Sequence, residues 1–237
     1  MAITLIAHTI AQSSGGGAVT TSPGIDTSGA NFVVVVVSGA NAINPIGSVT
    51  DNMGNGAYTA RTQSPTFGNV GVVEQTFYKA SASVGVGHTW TVGAASTFCT
   101  IAVAAFSGVA TSPFDTEAIG NSGGVSNALQ AGSVTPSANG ALVVMGTVLR
   151  GLNAVNAINS SFTLLDSLDT SSGNAQGGAL AYLIQGTAGA VNPTENFAGA
   201  GGGNDAAAAN TVFLASTGGG STPQPYFSLT IGGQQSI

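Results

Sequence analysis

The chain has very little positive charge. Its 237 residues carry three Lys+Arg against nine Asp+Glu, for a net charge of −6, and only 5% are charged at all, against about 25% in an ordinary soluble domain. Three cations cannot neutralise a nucleic-acid backbone, because each phosphate contact needs a cation or a well-placed donor, so no direct nucleic-acid partner is expected. Cysteine is almost absent too. Cys99 alone excludes an internal disulfide framework and a Cys-based metal site, and its position in the apolar stretch 98–106 marks it as a buried thiol. Long hydrophobic runs are missing. The longest purely aliphatic one, 33–37, is far short of the ~20 residues that a spanning helix needs, so no membrane partner is expected either. Residues 1–14 lack a basic leader and interrupt their apolar stretch at Thr4, His8 and Thr9, so no Sec signal is expected.

Helix signals are equally scarce. No stretch shows a clean 3.6-residue apolar period, and the best helix candidate, the Ala run of 205–210, is too short to nucleate alone and leads straight into Thr211-Val212-Phe213-Leu214. What is present is a strand vocabulary. Hydrophobic residues make up 43% of the chain, and mean hydropathy is +0.35, enough apolar surface for a core. Short β-branched segments recur between Gly, Asn, Ser and Pro clusters, which predicts an all-β protein, an antiparallel β-sandwich. The aliphatic segments 32–37 and 141–144 are apolar on both faces and so require cover on each side, from a second layer of the chain or from a neighbouring subunit.

A weak internal repeat shapes the domain reading. Thr27-Ser28-Gly29-Ala30-Asn31-Phe32-Val33-Val34-Val35 is similar to 135–144, which again runs from Ala-Asn into an aliphatic strand. Phe77-Tyr78-Lys79 corresponds to Leu183-Ile184-Gln185, and Ala104-Ala105-Phe106 to Thr211-Val212-Phe213. The expected organisation is a first sandwich half over 1–120, a second over 121–216, and a linker with a C-terminal strand over 217–237. The fold is jelly-roll-like, or two tandem or merged sandwiches, with Val34 and Val143 equivalent.

Few residues could carry chemistry. Gly120-Asn121-Ser122-Gly123-Gly124 fits Gly-x-Ser-x-Gly and resembles the nucleophile segment of chymotrypsin-like proteases, with His8 and Asp51 in the matching chain order. The context fails, because only seven residues precede His8 and Ser122 leads into a Gly-rich loop instead of a helix. No catalytic residue is therefore expected. Asp51 and Asn55 lie beside turn glycines and could offer oxygens to a calcium ion, although Asn-Gly is also a hairpin turn signal; otherwise no cofactor is expected. Asp115 with Glu117, and Asp166 with Asp169, are the other paired acids, suited to glycoside hydrolysis only if a cleft holds them apart. Trp90, Tyr58 and Tyr182 are candidates for stacking on a sugar or for an interface.

The order of an aliphatic strand, then Val49-Thr50-Asp51-Asn52-Met53-Gly54-Asn55, then Phe77-Tyr78-Lys79-Ala80-Ser81, then Ala105-Phe106-Ser107-Gly108-Val109-Ala110 with Pro113 resembles β-sandwich modules of bacteriophage virion proteins and large bacterial surface proteins. The similarity covers about residues 27–115 and, more faintly, 135–216. It implies a structural or adhesive role and brings no catalytic residues. The expectation is a non-enzymatic phage virion component, such as a capsid decoration, located in the virion and partnered by copies of itself and by other virion proteins. The alternative is a glycan-binding adhesin at the cell surface or outside the cell. The uncharged segment with Tyr226, Phe227, Leu229 and Ile231 is the expected assembly strand, because an unpaired apolar strand must add to some sheet.

Overall fold

The computed structural model describes residues 1–13, 18–39, 46–66, 71–93, 99–122, 127–151, 154–169, 176–197 and 205–217. All regular structure in them is strand, in sixteen segments and four antiparallel sheets. The first eight strands are β1 (Thr4–Ser13), β2 (Val19–Thr20), β3 (Phe32–Gly39), β4 (Val49–Asp51), β5 (Thr59–Ala60), β6 (Val73–Ala80), β7 (Trp90–Val92) and β8 (Cys99–Ser107). They form a five-stranded sheet of order β1-β8-β3-β6-β5 and a three-stranded sheet of order β2-β7-β4. The next eight are β9 (Val109–Asn121), β10 (Ala128–Leu129), β11 (Ala141–Arg150), β12 (Val155–Ile158), β13 (Thr163–Leu168), β14 (Gly177–Gln185), β15 (Glu195–Phe197) and β16 (Asp205–Ala215). Their sheets are β9-β16-β11-β14-β13 and β10-β15-β12. Adding eight to every label of the first set gives the second. Each set pairs its first strand with its eighth, second with seventh and third with sixth, the strand order of a jelly roll whose fifth strand has joined the sixth.

The chain is therefore two β-sandwiches of one connectivity. The junction is Gly108, not residue 120: β8 ends at Ser107 and β9 starts at Val109. The expected boundary failed because β9, broken in sequence by Ser112-Pro113, reads as a loop and a four-residue strand. Its register shifts, between Thr211 and Phe213 and between Phe213 and Ala215 of the partner strand, accommodate the Pro, as bulges on edge strands do. The Ala run of 205–210 is part of β16; tertiary packing overrides its helix propensity. The C-terminal segment with Tyr226, Phe227, Leu229 and Ile231 lies outside the described residues.

The two five-stranded sheets pack face to face, and each three-stranded sheet covers an outer face. β3 shows how. All eight of its residues are buried; Phe32, Val34 and Val36 join Leu142, Val144, Leu180 and Phe213 of the other half, while Val33, Val35 and Val37 pack with Val49, Trp90 and Val92 beneath the small sheet. β11 repeats the arrangement, with Val143 and Met145 facing Leu129, Val155 and Phe197. The cover that the two-faced strands require is thus supplied by the chain itself. Among the described residues, the exposed large apolar side chains are Met1, Ile6 and Val86.

Strand register fixes the equivalences. Phe32 pairs with Phe106, and Leu142 with Phe213, so Val34 corresponds to Val144. The expected match with Val143 is one residue out, and a one-residue slip moves a side chain to the opposite face. Two residues, Gly140 and Ala141, separate Ala138-Asn139 from Leu142, whereas Phe32 follows Ala30-Asn31 directly, and the expected match allowed for only one. Across the seam, the Tyr78–Phe213 rings meet edge-on at 5.2 Å and the equivalent Tyr182–Phe106 rings at 5.4 Å. Arg61, just past β5, pairs with Glu117 of β9 at 3.0 Å and covers the Phe114 ring; His8 of β1 pairs with Asp166 of β13 at 2.8 Å. These pairs are mates under a pseudo-two-fold axis between the halves, with the acidic and basic side chains exchanged.

Candidate functional site

The densest set of polar side chains lies inside the first half, where β4, β7 and the loops beside them meet. Asp51 ends β4, and its carboxylate organises the following turn. Oδ1 accepts from the Met53 and Asn55 amides at 3.0 and 3.2 Å, and Oδ2 accepts from Asn55 Nδ2 at 2.7 Å and Tyr58 OH at 2.5 Å. Trp90 Nε1 donates to Tyr58 OH at 2.8 Å. His88 and Trp90, two apart in a strand, point the same way, and their rings stack at 3.9 Å. His88 Nε2 lies 3.3 Å from Asp51 Oδ2, and Nδ1 lies 2.9 Å from Thr27 Oγ1. Nε2 meets the carboxylate outside hydrogen-bond geometry, and the direction of the Nδ1–Thr27 bond follows the ring tautomer, the Thr27 hydroxyl having the Gly85 carbonyl as a second acceptor at 3.2 Å.

Burial and hydrogen bonding set the charges of this cluster. Burial raises the Asp51 carboxyl, but Tyr58, Asn55 and His88 together outweigh it and leave the group lower than an ordinary aspartate. Burial lowers His88 despite the neighbouring Asp51, and burial, with Asp51 beside it, raises Tyr58. A hydroxyl, an imidazole and a carboxylate in sequence are the parts of a nucleophilic triad. Here Thr27, His88 and the Asp51 side chain are all 0% exposed, and Thr27 Oγ1 also accepts from the Gly85 amide. No substrate reaches them. The cluster pins three loops of the sandwich together. Asp51→Ala is expected to leave several buried donors unpaired and to destabilise the chain by about 3 kcal/mol; urea unfolding of the variant checks this.

The same contacts bear on the calcium expectation. Both Asp51 oxygens accept from donors, and Asn55 Oδ1 accepts from the Ser83 amide at 2.6 Å. In this structure the side-chain oxygens that a calcium ion would draw on are thus engaged by protein donors. Among the described residues no group of three or more His, Cys, Asp or Glu stands together.

The other expected residues are scattered. Trp90 and Tyr58, at 0% and 7% exposure, are core side chains and offer no face to a sugar, which corrects their reading as stacking platforms. Tyr182 is half-buried against Phe106 in the seam. Ser122 directly follows β9, its amide donating to Ala206 O, while His8 is held by Asp166 and His88 by Thr27 and Asp51. Asp115 accepts from the Ser137 amide and Glu117 binds Arg61 and Thr62, so this acid pair spans no cleft. Asp166 likewise faces His8, while the Asp169 carbonyl accepts from Gln12.

Sequence reading missed two buried acids. Glu195 takes the position of Trp90 in the second half: Val92 and Phe197 pair with the equivalent Val49 and Val155, and Trp90 and Glu195 each lie two residues earlier. Glu195 is 0% exposed, accepts from Thr147 Oγ1 at 2.6 Å, and is pushed by burial up to about 7. Glu74 on β6 is also 0% exposed. The sequence carried little signal for either, because both acids adjoin polar residues, in Val73-Glu74-Gln75-Thr76-Phe77 and in Thr194-Glu195-Asn196-Phe197. Comparison with known protein families, with curated proteins and with solved structures finds no match to the chain.

Proposed function

We propose that the chain is a non-catalytic structural protein, an exterior component of a bacteriophage virion such as a capsid decoration, that assembles with copies of itself. Jelly rolls host capsid proteins and lectins alike, and fold alone does not choose between roles. The observation that carries the reading is the fate of the reactive groups: the one hydroxyl–imidazole–carboxylate cluster among the described residues is sealed inside a sandwich, holding loops together. A surface with almost no charge puts little repulsion between copies. The glycan-binding alternative loses its main support, because Trp90 and Tyr58 are interior.

Mass spectrometry of purified particles from the source is expected to find the chain in stoichiometric amount, and its absence from them refutes the virion role. Light scattering at micromolar concentration is expected to give a multimer for the full chain. A monodisperse monomer refutes self-assembly, and an unchanged multimer after truncation at Ser216 assigns assembly to the double sandwich instead of the C-terminal segment.

A further inference from the structure

Glu74 sits in the seam between the two halves. Val36 on β3 lies beside it over Gly146, and its polar neighbours are uncharged: Ser64, whose Oγ accepts from the Glu74 amide at 2.8 Å, Thr76, and Ser38, its partner in register. It lies against the other half so closely that a Cβ placed on Gly146 would fall 2.7 Å from Glu74 Oε1. Thr76 Oγ1 donates to Oε1 at 2.8 Å, and Oε2 has no partner among the described residues. No cation serves it. The chain has three Lys+Arg, and each is committed: Arg61 to Glu117, Arg150 to Asp205, and Lys79 to the Ala57 carbonyl at the far end of β6. Both histidines face other acids, Asp166 and Asp51. Of the titratable groups on the elements packed against Glu74, Glu117 on β9 is the nearest in effect and opposes a second negative charge; Asp115, also on β9, accepts from the Ser137 amide, Asp205 on β16 and Arg150 on β11 hold each other, and β3 and β5 carry none.

A carboxylate without a cation in such surroundings is far costlier than the neutral acid. We propose that Glu74 is a proton-dependent latch: the halves are closed when it is protonated, and opening the seam is coupled to release of that one proton. Burial, then the charge of Glu117, raises the Glu74 carboxyl well above the ordinary glutamate range, against the Thr76 hydrogen bond. The sign follows. The latch contributes fully below the ordinary glutamate range of about 4.3, where closed and open forms are both protonated. As pH rises above it the open form loses its proton first, and seam opening increases about tenfold per pH unit until Glu74 ionises in place.

The test is hydrogen exchange of the full chain at several pH values, corrected for intrinsic rates, following the amides of β3, β6, β11 and β14. Glu195→Gln is the background, removing the other buried acid. In it, protection is expected to fall about tenfold per pH unit above the ordinary carboxyl range; with Glu74→Gln added, the same amides are expected to keep their protection. Equal pH dependence with and without the Glu74→Gln substitution overturns the proposal. If the doubly substituted chain does not fold, infrared spectroscopy of the Glu195→Gln chain at neutral pH decides: the C=O band of a protonated carboxylic acid supports the latch, and its absence overturns it.

Discussion

Trp90→Ala is expected to cost about 3–5 kcal/mol in urea unfolding, the range for truncating a buried large aromatic. Trp90 is 0% exposed and fills the centre of the first sandwich with Val33, Val35, Ile101 and Val103. Its removal also leaves His88 without a stacking partner and deprives Tyr58 OH of the Nε1 donor. Trp90→Phe separates these contributions. It keeps most of the ring and drops the hydrogen bond, so a loss of about 1–2 kcal/mol is expected. A cost below about 1 kcal/mol for the alanine variant, well under the usual range, would show that the Asp51–Tyr58–Trp90–His88 cluster does not organise this half.

The second large effect concerns the single residue between the halves. Gly108 has φ +77°, and a Cβ there would lie 2.2 Å from the Ala2 carbonyl oxygen and 2.8 Å from its carbon. Both obstacles are backbone, so no rotamer relieves them. Gly108→Ala is expected to combine a left-handed backbone penalty of about 1–2 kcal/mol with overpacking of about 1–3 kcal/mol, enough to separate the start of β1 from the start of β9. Gly29→Ala is the control. It too has positive φ, +87°, but a Cβ there meets nothing within 4 Å, so only the backbone penalty applies. Thermal unfolding of the two variants side by side is expected to show the larger drop at Gly108; equal drops would show that the close approach of Ala2 carries no weight.

Much of the fold was legible because turns and β-branched segments are local signals. The repeat was legible because Ala-Asn before an aliphatic strand, and Phe at the end of β8 and β16, mark both halves. Three things were not legible. Strands of two residues, such as β2 and β10, have no period to read. The covering of β3 and β11 was ambiguous, because a strand buried on both faces looks the same whether its cover is another layer or another chain. Glu74 and Glu195 were missed because acids are rarely fully buried, and nothing local to either residue announces the partner across the seam or sheet. Trp90 and Asp51 were singled out as chemistry, yet only the structure shows that they are bonded through Tyr58 and closed to solvent.

The seam also bears on which surfaces can recognise one another. Register makes Val36 the counterpart of Gly146, and Glu74 the counterpart of Gly178. Side chains are therefore large on one half where they are absent on the other: a Cβ at position 146 would meet Glu74 Oε1 and the Val36 methyls within 2.8 Å, and one at 178 would meet Ser38 Oγ at 2.8 Å. A first half meeting another first half would place Val36 and Glu74 into the space that those glycines leave open. Two second halves would leave that space empty. The faces are thus complementary to each other and not to themselves, and like-with-like pairing is selected against. Exchange of halves between two chains, by contrast, would keep every seam contact. What favours closure within one chain is the one-residue connection at Gly108, which holds the second half at a high effective concentration over the first.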